Sequence, residues 1–128
     1  MLLYAEEEMK FVHSYIYLLK MRYEDNLNFS LQIEQEALPR RLPPMAIQML
    51  IENAVKHNEI SNRNPLLIYV QATANRVEVS NHLQPKLTTD SSTQIGLDNL
   101  SKRYRLLFKQ DIEVKTENEC FTVILPLV

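Results

Sequence analysis

The sequence has 128 residues, which is enough for one domain with its own core and too few for two. Apolar residues make up 45% of it and charged residues 23%, the composition of an ordinary folded, water-soluble domain. Its 14 Lys and Arg against 16 Asp and Glu give a net charge of −2, which excludes the basic footprint of a nucleic-acid-binding protein.

The sequence contains a single cysteine, Cys120, so no internal disulfide can form and a reducing compartment is predicted. No apolar run approaches the ~18 residues of a transmembrane helix, and no secretory signal opens the chain. The sequence therefore predicts a soluble, cytosolic piece, which is also compatible with excision from a membrane protein.

The first half of the chain predicts two helices and a strand. Apolar residues recur at spacings of three and four over 5–24, which indicates an amphipathic helix with Glu6, Glu7 and Glu8 in its first turn. Alternating apolar and polar residues over 29–33 predict a half-buried strand. A second helix is predicted over 44–58, since proline is tolerated where a helix begins.

The second half predicts a loop, a helix and paired strands. Residues 82–94 show no periodicity and form a long loop of the kind that often acts as a lid. A third helix is predicted to open at Gly96 and to reach about Lys109. Four strands complete the pattern: 66–73, 77–81, 111–116 and 120–126.

These elements predict the fold class. Helices and strand pairs mix without the regular alternation of parallel α/β folds, so residues 1–128 are expected to form a single α+β domain. Its expected architecture is a two-layer α/β sandwich with a mixed sheet and three helices on one face.

Asn53 and Lys56 are the first candidate site residues. They lie three residues apart in the predicted second helix, opposite its apolar face, so their side chains are neighbours on the helix surface. An amide oxygen is a hard ligand that suits magnesium, and a lysine one turn away can meet phosphate. An isolated exposed polar pair is more often only a solvated helix surface, so the pair alone leaves both interpretations open.

Gly96 and Asn81 are further candidates. Gly96 is the only glycine, whereas average usage would give about nine, and it stands where the loop is predicted to meet the third helix. A glycine there either lets phosphate approach the helix amino end or only permits the helix to start. Asn81 ends a predicted strand, where asparagine is a common terminator as well as a ligand-reading residue.

Two motifs carry a resemblance to a known superfamily. The run LPPMAIQMLIENAVKHN at 42–58 is similar to the N box of the GHKL ATPases, which include histidine kinases, DNA gyrase and heat-shock protein 90. The run IGLDNL at 95–100 looks like that superfamily's second glycine box. The first run is most similar to sensor kinases that signal to LytTR-type response regulators, and the likeness covers essentially the whole chain.

The resemblance implies a Bergerat-type fold that binds ATP and Mg²⁺. By this resemblance, Asn53 coordinates the magnesium that bridges the ATP phosphates, and Lys56 lies nearby, so these two residues would carry catalysis. His57 would lie at the rim of the nucleotide pocket.

The remaining implied roles fall on residues 81–97, from the end of the predicted strand 77–81 onwards. Asn81 would stand where the superfamily has an adenine-reading Asp, residues 82–94 would be the ATP lid, and Gly96 with Leu97 would form its hinge against the phosphates. The first glycine box lacks its glycines, and the second has Gln94 where a glycine is usual. These two departures predict weaker nucleotide binding than the full glycine boxes give.

The implied function is that of the ATP-binding catalytic domain of a two-component sensor histidine kinase. It would donate the γ-phosphoryl of ATP to a histidine in an upstream dimerisation domain that is absent here, for relay to a response regulator of the LytTR type. Residues 1–26 would be the helix that follows the dimerisation hairpin. The full-length protein is expected to be homodimeric and anchored in the inner membrane, with this domain on the cytoplasmic side.

Other functions remain open at this point. The main alternative is a degenerate GHKL domain that acts as a non-catalytic protein-interaction module. The glycines missing from the two glycine boxes favour this alternative. A soluble ATP-hydrolysing relative would carry a carboxylate one turn before the magnesium-binding Asn, whereas this chain has Met49, which cannot activate water. A kinase acting on serine in a separate protein has no positive feature in the sequence.

Overall fold

The computed structural model of the protein describes residues 2–86 and 92–128. Over these residues the chain forms helices α1 (Ala5–Tyr23), α2 (Ala46–His57) and α3 (Ser92–Phe108). The strands are β1 (Leu3–Tyr4), β2 (Leu27–Ile33), β3 (Arg41–Leu42), β4 (Leu66–Ala72), β5 (Arg76–His82), β6 (Glu113–Glu117) and β7 (Cys120–Pro126).

The main sheet has five strands in the order β2-β4-β5-β7-β6. Strand β2 runs parallel to β4, and the other neighbours are antiparallel, so the sheet is mixed. Strands β1 and β3 form a separate antiparallel pair that the sequence did not predict. The predicted α+β sandwich with a mixed sheet is confirmed.

One face of the sheet is buried under the helices. Along β4, Leu66, Ile68, Val70 and Ala72 are buried while the residues between them are exposed, because successive side chains of a strand point to opposite faces. The same core contains residues of all three helices, among them Val12, Ile51 and Leu100. In the part of the chain that is described, no helix is long and apolar enough to cross a membrane.

The predicted start of the second helix is wrong. Helix α2 begins at Ala46 rather than at Pro44, because Met45 has a φ of 64°, a left-handed conformation that an α-helix does not contain. Pro43 and Pro44 therefore form the turn that leads into the helix instead of its first turn.

The predicted start of the third helix is also wrong. Helix α3 begins at Ser92, so Gly96 lies inside the helix rather than at its junction with the loop. Residues 92–94, which the sequence placed in the loop, are helical. Within the predicted lid over 82–94, His82 ends β5. Leu83 N donates a hydrogen bond to Glu119 O, and Lys86 N donates one to His57 O at the end of α2. Residues 87–91 lie outside the described residues, so the lid itself stays a prediction.

The start of α2 is capped by a residue of α1. The carboxylate of Glu8 is only 1% exposed; its Oε1 accepts a hydrogen bond from Met45 N at 2.9 Å and its Oε2 accepts one from Ile47 N at 3.0 Å. Backbone N–H groups at a helix start have no partner within the helix, and here a second helix supplies one. The sequence pattern indicated only that Glu8 lies in the first turn of α1.

Candidate functional site

A cavity of about 160 Å³ lies between α2, α3 and the helix-covered face of β5 and β7. Its walls are mostly apolar, with contributions from Leu50, Val79, Leu83, Leu97, Phe121 and Val123. The polar side chains that line it are Asn53, His57, Asn58 and Asn81. An apolar cleft with a few convergent polar groups is typical of sites for small molecules and cofactors.

Asn53 lies on α2 at the edge of this cavity, and its side chain is half-buried. Its Nδ2 atom is buried and has no hydrogen-bond partner among residues 2–86 and 92–128. Leaving a buried polar group without a partner costs about 1–3 kcal/mol, so native proteins rarely keep one without a reason. Among the described residues, the Asn53 amide therefore lacks the partner that a buried donor usually has.

Gly96 of α3 lies directly beside Asn53. A Cβ atom added to Gly96 would be 3.7 Å from Asn53 Nδ2 and 4.0 Å from Met49 Sδ, which are ordinary van der Waals distances. The backbone of Gly96 has no positive φ, so neither its conformation nor the described packing requires glycine. A side chain at position 96 would contact the Asn53 amide and Met49 Sδ, and glycine leaves this place unfilled.

Asn81 brings a second amide to the cavity, from the central strand β5. It is 3% exposed and pairs with Ile68 of β4 and Phe121 of β7. Its Nδ2 donates a hydrogen bond of 2.9 Å to the backbone oxygen of His82. This hydrogen bond orients the amide, whose other polar atom, Oδ1, is a hydrogen-bond acceptor.

A buried polar contact fixes the segment that leaves β5. Asn58, 4% exposed, accepts a hydrogen bond from Gln84 N at 2.8 Å through Oδ1 and donates one to Ala54 O at 2.8 Å through Nδ2. Glu59 N donates to Gln84 O at 2.7 Å. The contact between Asn58 and Gln84 was not predicted, since nothing local in the sequence links residues that are 26 positions apart.

The structure brings most of the predicted site residues together. Asn53, His57, Asn81 and Leu97 line the same cavity, and Gly96 adjoins it at Asn53. Lys56 differs, because its side chain is exposed and is not among the described side chains that line the cavity. The individual roles predicted for these residues stay predictions.

No protein-family model matches the sequence. Among curated proteins, the chain is 28% identical over 130 residues to the Sensor protein LytS of Staphylococcus saprophyticus subsp. saprophyticus, a match that covers 89% of this chain and 22% of that protein. It is 25% identical over 130 residues to the Sensor histidine kinase/phosphatase LytS of Staphylococcus aureus, with 88% and 22% covered. The chain thus spans 22% of the length of these curated relatives.

Solved structures of histidine kinases have the same fold. The cytoplasmic segment of histidine kinase QseC matches with a TM-score of 0.68 at 14% identity, covering 100% of this chain and 77% of that one. The nucleotide-free catalytic domain of histidine kinase ThkA matches at 0.64 and 15%, covering 99% and 94%. A complex of ThkA with the response regulator TrrA matches at 0.52 and 14%, covering 100% and 42%. These findings confirm the resemblance to sensor histidine kinases that the sequence predicted.

Proposed function

We propose that this chain, which has the fold of histidine kinase catalytic domains, binds Mg·ATP and donates its γ-phosphoryl to a histidine of a separate dimerisation domain. A response regulator, of the LytTR type, would then receive the phosphoryl group, and the full-length protein would be a membrane-anchored homodimer. The observation that carries the proposal is the apolar cavity between α2 and β5, to which Asn53 and Asn81 each bring an amide.

The apolar part of the cavity suits the base of the nucleotide. Its volume of about 160 Å³ lies below the ~300–1,000 Å³ of typical ligand pockets, so it would hold the base and leave the triphosphate outside. Asn81 is buried at this end, and its Oδ1 can accept a hydrogen bond from the exocyclic amino group of adenine. The hydrogen bond from its Nδ2 to His82 O favours this orientation of the amide over the reverse one.

The phosphates would leave the cavity past Asn53 and Gly96. Asn53 would hold magnesium through its amide oxygen. Its buried Nδ2 would donate a hydrogen bond to a phosphate oxygen. When bound, magnesium neutralises phosphate charge and takes most of its ligands from phosphates and water, as is usual for this ion. Lys56, exposed one turn further along α2, would meet the same phosphates, so the contribution of the protein is positioning and charge neutralisation.

The residue beside this site, Met49, favours transfer of the phosphoryl group to another protein group over hydrolysis of ATP. Met49 lies one turn before Asn53, and its Sδ is 4.0 Å from the position of a Cβ on Gly96. A thioether cannot take a proton from water, so no general base stands at this position. The γ-phosphoryl group of bound ATP would therefore be transferred only when another domain brings an acceptor close to it.

Titration of the chain with Mg·ATP by isothermal calorimetry tests the proposal. We expect saturable heat with a dissociation constant of about 1 mM or tighter, weakened when EDTA removes the magnesium, with negligible phosphate release in a parallel assay. Absence of binding would support the alternative of a degenerate interaction module, whereas sustained phosphate release would support an ATP-hydrolysing relative.

Asn81 is expected to select the base. Asn81→Leu should weaken Mg·ATP binding by roughly 10- to 100-fold, since it removes the acceptor and leaves the adenine amino group unpaired. Asn81→Asp keeps an acceptor at the same position but loses the donor to His82 O, so it is the comparison variant and should weaken binding less than Asn81→Leu does. Mg·GTP, which presents an oxygen instead of the amino group, should bind the original chain more weakly than Mg·ATP. Equal affinity for both nucleotides would contradict the assignment.

A further inference from the structure

The side of α1 that faces away from the core carries large apolar side chains. Phe11 is 58% exposed, Leu18 62%, Met21 64% and Tyr17 67%, and these four residues define the α1 outer face. The opposite side of the helix already provides the buried residues Met9, Val12 and Leu19. Contiguous exposed apolar surface on a soluble domain commonly marks a site of protein association.

The apolar and charged residues of the α1 outer face are spaced so that two copies of this face can pair with each other. Phe11 and Leu18 are seven residues apart, as in the seam of a helix pair, and the small Ser14 lies between them. Glu7 lies near the amino end of the same face and Arg22 near its carboxyl end, and both are exposed. At 100° per residue these five residues fall within an arc of about 80°.

An antiparallel arrangement matches this pattern. A two-fold axis between Ser14 and Tyr15 lies midway between Phe11 and Leu18, and also midway between Glu7 and Arg22. Each Phe11 would then face Leu18 of the second copy, and each Glu7 would face Arg22 of the second copy. Because the axis is two-fold, each of these contacts would form twice. A parallel pair would instead place Glu7 against Glu7, so the charges favour the antiparallel one.

We propose that the α1 outer face binds a second copy of this chain as an antiparallel helix pair. A helix of 19 residues is about 28 Å long, so the pair would bury an area near the lower limit for specific interfaces, and the dimer should be weak and in rapid exchange. The cavity is lined by α2, α3, β5, β7 and the segment after β5, and α1 contributes nothing to that lining. The proposal is therefore independent of nucleotide binding.

Analytical ultracentrifugation of the 128-residue chain between about 10 μM and 1 mM tests the proposal. The mass should rise with concentration towards that of a dimer, and Leu18→Glu should weaken association by more than about tenfold, because it places a charge in the apolar seam. Leu106→Glu is the matched control, since Leu106 is 83% exposed on α3 and outside the α1 outer face. It should leave association unchanged.

A charge exchange identifies the partner and its direction. Glu7→Arg alone and Arg22→Glu alone should each weaken association by up to roughly fivefold, since each places like charges together. The double variant E7R/R22E should restore it, which only an antiparallel pair of identical chains explains. Circular dichroism confirms that each variant is folded. A mass that stays monomeric, a double variant that is no better than the single ones, or equal weakening by Leu106→Glu would overturn the proposal; the first result would assign the face to another domain or protein.

Discussion

Asn53→Ala is expected to abolish Mg·ATP binding without destabilising the fold. Most polar residues in a site also hold the structure together, but Asn53 Nδ2 is buried with no partner among the described residues, so alanine removes an unsatisfied group. The free energy of unfolding should therefore stay unchanged or rise by up to about 1 kcal/mol. Affinity should fall by about 100-fold or more, because the substitution removes both the proposed metal ligand and a phosphate contact.

Calorimetry and urea denaturation of the same preparations measure the two effects of Asn53→Ala separately. Glu52→Ala is the matched control, because Glu52 is exposed and is the residue before Asn53 on the same helix. It should change the free energy of unfolding by no more than about 0.5 kcal/mol and should leave nucleotide affinity intact. Normal binding by Asn53→Ala, or binding lost only together with the fold, would remove Asn53 from the site.

Local periodicity indicates the face of Asn81 more closely than that of Asn53. A helix repeats every 3.6 residues and a strand every two, so the apolar residues around each asparagine indicate which way it faces. The sequence predicted Asn53 opposite the apolar side of α2, but Leu50 and Ala54 of that side line the same cavity, so the amide lies at the edge of the apolar side. For Asn81, the buried Val77 and Val79 share its face of β5.

The position of Gly96 could not be predicted in the same way. The sequence suggested a glycine that starts a helix, because glycine has poor helix propensity and usually marks a boundary. The structure has α3 starting at Ser92 and Gly96 packed against α2, near Asn53 and Met49. Local propensity carries no information about a neighbouring helix, so the position of Gly96 beside Asn53 and Met49 of α2 was not visible in the sequence.

The contacts that hold the site in place join residues far apart in the chain, and no spacing rule indicates them. Asn58 binds Gln84, which is 26 residues away, and Glu8 binds Ile47, which is 39 residues away. Both asparagine and glutamate have common local uses, at a helix end and in a first helical turn, and these local uses were the ones predicted. The fold, by contrast, follows from the order and pattern of its elements, which are local properties.

Glu8→Ala is expected to lower the free energy of unfolding by about 2–4 kcal/mol. It leaves the buried N–H of Ile47 and the partly buried N–H of Met45 without their acceptor and opens space between α1 and α2. Glu8→Gln should be less damaging, since its amide keeps one acceptor but turns an N–H donor towards the other N–H. Urea denaturation measures both, and Glu7→Ala is the control, because Glu7 is exposed and should change stability by no more than about 0.5 kcal/mol.

The pH dependence of stability separates two opposing effects on the same carboxylate. Burial raises the pKa of Glu8 from its ordinary value of 4.5, although the N–H groups of Met45, Gln48 and Ile47 and the charge of Arg103 act to lower it. A group whose pKa is raised by folding contributes stability that is complete below the unfolded-state pKa and is lost as pH rises through the folded-state pKa. The stability advantage of the original chain over Glu8→Gln should therefore shrink as the pH is raised above about 4.5. Equilibrium denaturation of both proteins across this range measures the difference. An advantage that grows with pH would mean that the helix N–H groups and Arg103 outweigh burial, and that Glu8 is held in place as an anion against the start of α2.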